Sequence, residues 1–256
     1  MSDQASAPEF IDRVGIATLF PASLEVPNLF HAYLGDPDAH TDSGHDTPSG
    51  EVYGWRWYLG RREAAFYSAV VRNRPTWVSW PLLPSILRLV GELRAPDELY
   101  DLGEISDHAH RIAGVLENAG GTLSTGELRR EAGFPTGKEN RAAYLKAVAE
   151  LDSRMLLAKV FSTTDHDMRH TLVSVRYAKA VEQAEALSRE SALDALLMTY
   201  LPQAVYAVPL VLGKHLGVPE IELHAGLDRL VAVGSVRAVD GDGPKGASYV
   251  WARESW

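Results

Sequence analysis

The sequence contains no cysteine, so disulfide frameworks, thiolate zinc sites, iron–sulfur clusters and cysteine nucleophiles are excluded by composition alone. Basic residues are also in deficit, because 25 lysines and arginines stand against 34 aspartates and glutamates, giving a formal net charge of −9. This balance argues against a protein that holds nucleic acid through bulk charge. With 256 residues, 46% of them hydrophobic, the chain is long enough for two or three small modules.

The N-terminus lacks the basic region and apolar core of a signal peptide, and we expect a cytoplasmic protein. One uncharged stretch, residues 195–213, approaches the length needed to cross a bilayer. Pro202 and Pro209 interrupt it, and proline removes a backbone donor and clashes with the preceding turn of a helix. We therefore expect two buried helices separated by a bend, and no membrane contact.

Basic residues are concentrated in one part of this acidic chain. Residues 1–50 contain a single arginine against eight carboxylates, whereas residues 51–100 contain seven arginines. A basic face can therefore exist on an acidic protein. Residues 36–51 consist of turn formers and acids, which predicts a loop. Residues 61–74 place apolar side chains at helical spacing between terminal arginines, which predicts an amphipathic helix.

The order of predicted elements from residue 106 onward is that of a winged helix-turn-helix, in which three helices are followed by a β-hairpin. Ser106 is a typical helix N-cap, and Gly120 and Gly121 end that helix. A short strand at 122–123 is predicted next, followed by a helix that is capped by Ser124 or Thr125 and ends at Arg130, and by a turn at 133–135. The third helix is predicted over 138–153, and its inward-facing residues are Tyr144, Leu145, Val148 and Leu151. The two strands of the hairpin are predicted over 156–162 and 171–177.

The same order recurs after a charged connector helix at 178–190. The predicted elements are helices over 192–200, 208–216 and 220–233, a turn at 217–219, and a wing made of 236–239, a turn at 240–243, and 248–251. We therefore predict a mainly helical α+β fold with small β-hairpin wings, built from tandem winged helix-turn-helix motifs. Its parts are an N-terminal helical region (1–95), with a divergent winged-helix unit as the alternative, a central winged helix-turn-helix (96–177), and a connector helix with a C-terminal winged helix-turn-helix (178–256).

In such units the third helix enters the major groove, while the end of the second helix and the wing contact phosphates. The predicted DNA-binding residues are Ser124, Thr125, Arg129, Arg130, Lys138, Asn140, Arg141 and Lys146 of the central unit, with Arg61, Arg62, Arg72 and Arg74 of the N-terminal region. The alternative is a solvated face, because glutamates are interleaved with these cations.

The third helix of the C-terminal unit is acidic. It carries Glu220, Glu222 and Asp228, with Arg229 as their only positive partner. Because phosphates would be repelled, we expect this unit to pack against a protein partner or a second copy of the chain rather than to enter a groove.

Two further groups have both a functional and a structural interpretation. Four ligand-type side chains share the polar loop: His40, Asp42, His45 and Asp46. Metal sites usually draw their ligands from ordered elements, so we favour a flexible loop and expect no metal and no cofactor. Four tryptophans lie close together in the sequence: Trp55, Trp57, Trp77 and Trp80. They predict a shared apolar cluster, with a base-stacking surface as the alternative.

Three blocks of the sequence together resemble one family. They are FIDRVGIATLFP at 10–21, GWRWYLGRREAAFYSAVVRNRPTWVSWPLLP at 54–84, and the winged unit from Ile105 to Val160. The middle block is the most specific, since an aromatic pair, an arginine-flanked segment and a Pro-Thr-aromatic-Val-Ser continuation follow in order. The blocks resemble the AlkZ-related winged-helix proteins, relatives of the YcaQ/AlkZ DNA glycosylases, over most of residues 10–180.

This resemblance implies tandem winged-helix motifs that form a concave surface for duplex DNA, with activity on alkylated or crosslinked bases. Glycosylases of that group position a hydrolytic water with glutamine, an aliphatic residue, and then glutamine or aspartate. No such triplet occurs here, because Gln4, Gln183 and Gln203 are not followed two places later by glutamine or aspartate. The nearest water-activating carboxylates by position are Asp42 and Asp46, in the polar loop.

Three functions remain open from the sequence. The first is a DNA-binding protein linked to DNA repair, with duplex DNA as its partner and no established chemistry. The second is an active DNA glycosylase that flips a damaged base out of the duplex and uses another carboxylate. The third is a protein-interaction module, which the net charge of −9 and the acidic C-terminal helix favour.

Overall fold

Three stretches of the chain repeat one order of elements in the computed structural model, which describes residues 1–23, 25–204, 206–239 and 249–252. The order is helix, strand, helix, helix, strand, strand, and the stretches are named here the N-terminal, central and C-terminal units. The N-terminal unit consists of α1 (Ala7–Val14), β1 (Ile16–Thr18), α2 (Leu29–Leu34), α3 (Pro48–Arg61), β2 (Phe66–Ser68) and β3 (Thr76–Val78). Two linking helices follow, α4 (Leu83–Val90) and α5 (Pro96–Asp101).

The central and C-terminal units repeat this order. The central unit consists of α6 (Asp107–Ala119), β4 (Leu123–Ser124), α7 (Thr125–Glu131), α8 (Lys138–Ser153), β5 (Leu157–Phe161) and β6 (Met168–Leu172). The connecting helices are α9 (Val173–Arg176) and α10 (Ala178–Ala186). The C-terminal unit consists of α11 (Arg189–Ala204), β7 (Tyr206–Ala207), α12 (Pro209–Leu216), α13 (Glu220–Ala232), β8 (Val236–Ala238) and β9 (Tyr249–Trp251).

Each unit folds its three strands into an antiparallel sheet with the last strand of the unit in the middle. In the N-terminal unit, for example, Val78 of β3 lies opposite both Ile16 of β1 and Phe66 of β2. The predicted fold class is confirmed: the protein is mainly helical, with small antiparallel sheets, an α+β fold of winged-helix-like architecture. Within the described ranges, no helix is both long and apolar enough to cross a membrane.

Local capping signals define the helices of the central unit. The Ser106 hydroxyl accepts a hydrogen bond from the Ala109 backbone N–H at 3.2 Å, and Gly120 ends α6 in a left-handed conformation. Ser124 and Glu127 form a reciprocal capping box at the start of α7. α8 also begins and ends where the sequence pattern predicts it, although Gly137 before it provides no side-chain cap.

The helix predicted over 61–74 is wrong. The helix lies upstream, as α3, and the chain then forms the β2–β3 hairpin. Arg72 and Asn73, with φ of 49° and 57°, make the turn at its tip. Phe66 and Tyr67 are aromatic residues that favour strands, and their pairing with β3 overrides the helical spacing of the neighbouring alanines.

Two predicted boundaries are also corrected. The second strand of the central wing, predicted over 171–177, is β6, and the chain turns helical from Val173. β6 has to pair with β4 as well as β5, which shifts it towards the N-terminus. The loop predicted over 36–51 ends earlier, because α3 already begins at Pro48. The two helices predicted on either side of a bend in 195–213 are α11, which runs through Pro202 to Ala204, and α12, which begins at Pro209. The turn predicted at 240–243 lies outside the described residues.

The described residues form three apolar clusters. The largest joins the N-terminal sheet to α4, α11 and the C-terminal unit, and a second fills the central unit. The third fills the N-terminal unit but takes in Phe161, which comes from β5 of the central wing. Phe161 therefore ties two units together: its ring contacts Trp57 edge-on at 5.2 Å between centroids and stacks on Trp77 at 6.0 Å.

Gly60 of α3 sets how closely the N-terminal unit approaches this ring. A Cβ atom at Gly60 would lie 2.1 Å from the Phe161 ring, which is buried and held on both sides. Overpacking of this kind costs about 3 kcal/mol, and the gain in helix propensity offsets about 1 kcal/mol of it. Gly60→Ala is therefore expected to lower the free energy of unfolding by about 2 kcal/mol, as measured by urea denaturation.

Gly54 offers a matched control in the same helix. A Cβ atom there would meet nothing within 4 Å, so Gly54→Ala is expected to raise the free energy of unfolding by up to about 1 kcal/mol. Equal stabilities for the two variants would contradict the close packing at the junction.

Candidate nucleic-acid interface

The exposed side of α8 is basic. Lys138, Arg141 and Lys146 are all exposed there, and none of them forms an ion pair within the part of the chain that the structure describes. Leu145, predicted to face inward, is instead 51% exposed on the same side. It lies one position beyond the buried Tyr144, and the 100° step of an α-helix turns it away from the core. This face thus offers three unpaired cations and an aliphatic side chain.

Two other residues of α8 do not contribute to this face. Asn140, predicted to be exposed, is only partly so, since it lies on the side of the helix shared with Tyr144 and Leu151. Glu150 is held elsewhere: it accepts hydrogen bonds from the backbone N–H and the hydroxyl of Ser106, at 2.9 and 2.6 Å. Of the three carboxylates of α8, only Glu139 is exposed, so three exposed cations stand against one exposed carboxylate on this helix.

The two arginines that end α7 have different surroundings. Arg129 turns inward, with its guanidinium carbon 5.7 Å from the centre of the Tyr144 ring. Burial raises the pKa of Tyr144 to about 12, against a smaller opposing effect of Arg129. Arg130 is 72% exposed and lies 3.7 Å from Glu131. Of the two, Arg130 is the one free to reach a phosphate.

The hydroxyl groups predicted to hold a phosphate already have partners. Ser124 accepts a hydrogen bond from the Glu127 backbone N–H as part of the capping box. The hydroxyl of Thr125 lies 3.1 Å from Nε2 of His170, a buried residue of β6. Burial, assisted by the charge of Lys159, lowers the pKa of His170 to about 4. A neutral imidazole therefore fixes the Thr125 side chain at pH 7.

The four arginines expected on one helix are separated by the hairpin. Arg61 and Arg62 lie at the end of α3, beside the β5–β6 wing. Arg72 is in the turn between β2 and β3. Arg74 donates from Nη1 to the carbonyl of Pro21 at 2.9 Å. The structure thus gives Arg61 and Arg62 a common site, but not Arg72 and Arg74.

Two arginines of the α3 segment stack on tyrosines, a feature not predicted from the sequence. The guanidinium carbon of Arg56 lies 3.6 Å from the centre of the Tyr53 ring, and that of Arg62 lies 3.8 Å from the Tyr58 ring. The spacings of three and four residues are the signal that could have revealed these pairs. Stacking of this kind orders a guanidinium without neutralising it.

The tryptophan cluster is mostly internal. Trp55 and Trp77 are fully buried in the N-terminal core, so neither can stack on a base. Trp57 and Trp80 are partly exposed and pack on Phe161 and Phe66 respectively. For Trp55 and Trp77, the structure therefore has the shared apolar cluster that the sequence predicts.

A cavity of about 630 Å³ lies in the N-terminal unit, beside the polar loop. Its lining residues are Phe20, Pro21, His31, Pro37, Asp38, Ala39, His40, Thr41, Asp42, Ser49 and Arg74. The ring of His31 is held through Nε2, 3.1 Å from the Ala39 carbonyl oxygen. Asp42 and His40 of the predicted loop group line the cavity, whereas His45 and Asp46 do not. Among the described residues, no cluster of three or more histidine or carboxylate side chains could hold a metal ion.

Charged side chains of α13, the third helix of the C-terminal unit, form ion pairs with α11 of the same unit. Arg229 turns to α11, where it binds Asp194 at 2.6 Å and Glu190 at 3.2 Å. Glu222 pairs with Arg189 at 3.0 Å. The side of α13 that faces solvent carries Ile221, which is 79% exposed. α13 is therefore acidic, as its sequence predicts, whereas the exposed side of α8 is basic.

Comparisons with known proteins give a family and a fold. The protein resembles the DNA glycosylase AlkZ of Streptomyces sahachiroi, with a TM-score of 0.57 and 15% identity over 97% of this chain and 65% of that one. This chain thus spans 65% of the length of its structural relative. A second structure, the DIP2311 protein of Corynebacterium diphtheriae, gives a TM-score of 0.23 and 16% identity over 80% of this chain and 39% of that one.

No curated protein matches the sequence. The family described as AlkZ related matches it over residues 1–200, well over half of its length. The chain therefore belongs to the AlkZ-related family.

Proposed function

We propose that this protein binds duplex DNA through tandem winged helix-turn-helix units, with α8 of the central unit as the helix that enters the major groove. The exposed cations of α8 carry this proposal. Lys138, Arg141 and Lys146 have no ion-pair partner in the described chain, so their charges are available to phosphates and base edges. Leu145 offers an apolar contact of the kind that thymine methyl groups accept.

Membership of the AlkZ-related family supports a link to DNA repair, as does the likeness in fold to a protein named a DNA glycosylase. Electrostatic organisation supports DNA as the partner in spite of the net charge of −9. Glu150 is engaged by Ser106, which leaves Glu139 as the one exposed carboxylate of α8 beside its three exposed cations. Fluorescence anisotropy of a labelled duplex at low salt tests the proposal, and the absence of any binding there would refute it.

An active DNA glycosylase is the second candidate, and the 630 Å³ cavity favours it. The cavity combines an aromatic ring, Phe20, with the carboxylate of Asp42 and the imidazole of His31. A glycosylase that flips a base needs a pocket with a stacking surface and a group that activates water. Asp42 is also one of the two carboxylates nearest by position to the missing glutamine motif.

Asp42→Asn is expected to reduce release of free base from alkylated DNA by about 100-fold or more, the usual contribution of a general base. Asp46→Asn is the matched control, because Asp46 shares the loop but does not line the cavity. Base release is measured chromatographically with excess protein. No release by the unmodified protein would eliminate the glycosylase, and equal effects of the two substitutions would remove Asp42 from it.

A protein-interaction role is the remaining candidate and concerns the C-terminal unit. Ile221 and Val233 at the two ends of α13 are 79% and 72% exposed, and Leu210 of α12 is also exposed. Exposed apolar side chains among acids suit a protein partner or a second copy better than phosphates. Light scattering over a concentration series tests self-association, and a monomer at all concentrations would leave only a different protein as the partner.

A further inference from the structure

A cleft of about 530 Å³ lies where the N-terminal unit meets the central wing. One wall is the end of α3, and the other is the β5–β6 hairpin with the end of α9. Its lining residues are Arg61, Arg62, Glu63, Val160, Phe161, Ser162, Thr163, Arg169 and Arg176. Four of these nine side chains are arginines and one is a carboxylate, so the lining is strongly positive.

The two walls of the cleft are fixed to each other. Arg61 donates from Nε to the carbonyl of Ser162 at 3.1 Å and from Nη2 to the carbonyl of Asp165 at 2.9 Å. Beneath them, Gly60 lets the helix approach the Phe161 ring closely. Because these contacts are made to the protein's own backbone, the side chain of Arg61 is pre-organised at the mouth of the cleft.

The charges of the cleft are unequally neutralised. Arg176 binds Glu63, and Arg169 lies 3.7 Å from Glu127. The hydrogen bonds of Arg61 go to the carbonyl groups of Ser162 and Asp165 and to Nδ1 of His166, none of which is a carboxylate. Arg62 is exposed, is stacked on Tyr58, and has no ion-pair partner in the described part of the chain. Arg62 is therefore the cation whose charge is most available to a ligand.

The geometry points to this arginine cleft as a phosphate-binding site, separate from α8, that takes a phosphodiester of the DNA backbone. Guanidinium groups match phosphate oxygens in pairs, and a planar group stacked on a ring is already oriented for that contact. The wing, which forms one wall, contacts the DNA backbone in winged-helix complexes. The identification of the ligand as a DNA phosphodiester rests on the proposed function. Free phosphate or pyrophosphate would be bound through the same chemistry, and the experiment below distinguishes these ligands.

Two neighbouring substitutions with opposite expected effects test the cleft. Arg62→Gln removes the free cation and is expected to weaken duplex binding about fivefold, with a salt slope lower by about 1. Glu63→Gln removes the carboxylate that holds Arg176 and is expected to tighten binding about twofold to threefold. Tighter binding cannot arise from a misfolded variant, so this pair distinguishes a charge effect from damage to the fold.

Arg13→Gln is the matched control. Arg13 is also an exposed arginine stacked on a ring, that of Phe10, but it lies on α1 and does not line the cleft. Its substitution is expected to change duplex affinity by less than about twofold, because only long-range charge is altered. Titration of each variant with inorganic pyrophosphate, followed by calorimetry, is the second arm.

The outcomes separate the two proposals. If both cleft substitutions shift duplex affinity in the expected directions and Arg13→Gln does not, the cleft binds the backbone. If duplex affinity is unchanged but Arg62→Gln abolishes pyrophosphate binding, the cleft binds a free phosphate. Pyrophosphate binding that depends on Arg62 in a protein that binds no DNA would refute the proposed function and keep the cleft. No effect of either substitution in either arm would overturn the cleft.

Discussion

Replacing both Lys138 and Arg141 with glutamate is expected to weaken duplex DNA binding at low salt by about 100-fold or more. At the start of a recognition helix, such cations contact base edges and phosphates, and an arginine contact with a base contributes about 1–3 kcal/mol. Glutamate at the same positions also repels phosphates, so the loss exceeds that of a neutral substitution. Because both side chains are exposed and unpaired in the described structure, the fold should persist.

A second double variant with the same charge change provides the control. Arg13 on α1 and Lys179 on α10 are exposed and, in the described ranges, form no ion pair. Reversing both is expected to weaken binding less than about fivefold, since salt screens charges distant from the bound DNA. Equal losses in the two double variants, measured by anisotropy, would show that affinity follows net charge and not α8.

His170 is expected to make the folded protein sensitive to acid. Burial lowers its pKa to about 4, from 6.5, with the charge of Lys159 contributing and that of Asp152 opposing. Between these two pH values the unfolded chain binds a proton that the folded protein excludes, so the free energy of unfolding falls as the pH falls. The loss begins near pH 6.5, ends near pH 4, and amounts to about 3 kcal/mol.

His170→Gln isolates this contribution from that of the carboxylates. Glutamine does not titrate and keeps a polar group near the Thr125 hydroxyl, so the variant should retain the rest of the acid response. The free energy of unfolding of the variant, minus that of the unmodified protein, is expected to rise by about 3 kcal/mol between pH 7 and pH 4 in urea denaturation. A constant difference over that range would contradict a buried neutral imidazole.

Local signals allowed much of the central unit to be predicted from the sequence. The N-cap at Ser106, the glycine at 120 and the capping box at Ser124 depend on residues at most four positions apart. Such interactions form in nearly any context, and for this reason the bounds of α6 and the start of α7 were predicted correctly. The acidic character of α13 was also predictable, because it follows directly from the residue types in this segment.

The features that could not be predicted from the sequence depend on contacts between residues far apart along the chain. The segment after α3 became a hairpin because Phe66 pairs with Val78 of β3. The arginine cleft depends on Arg61 reaching Ser162, a residue 101 positions away. No local sequence pattern predicts either contact. The arginine–tyrosine pairs on α3, in contrast, could have been predicted from their spacing of three and four residues. The cavity beside Asp42 likewise needed the polar loop to fold back on α2.

The repeated units therefore differ in what their side chains can do. The central unit offers a basic third helix, and its wing shares the arginine cleft with the N-terminal unit. The C-terminal unit uses Arg229 to bind α11 and leaves acids and aliphatic residues at the surface. One element order thus supports a part with a basic surface and a part with an acidic and aliphatic surface in the same chain.

The affinity of the unmodified protein for duplex DNA, measured across a salt series, tests most directly whether this acidic chain binds DNA through organised basic faces. Three cations on α8 and one in the cleft predict that log affinity falls linearly with log salt, with a slope of about −4. Absence of binding at low salt, together with no retention on heparin, would contradict it.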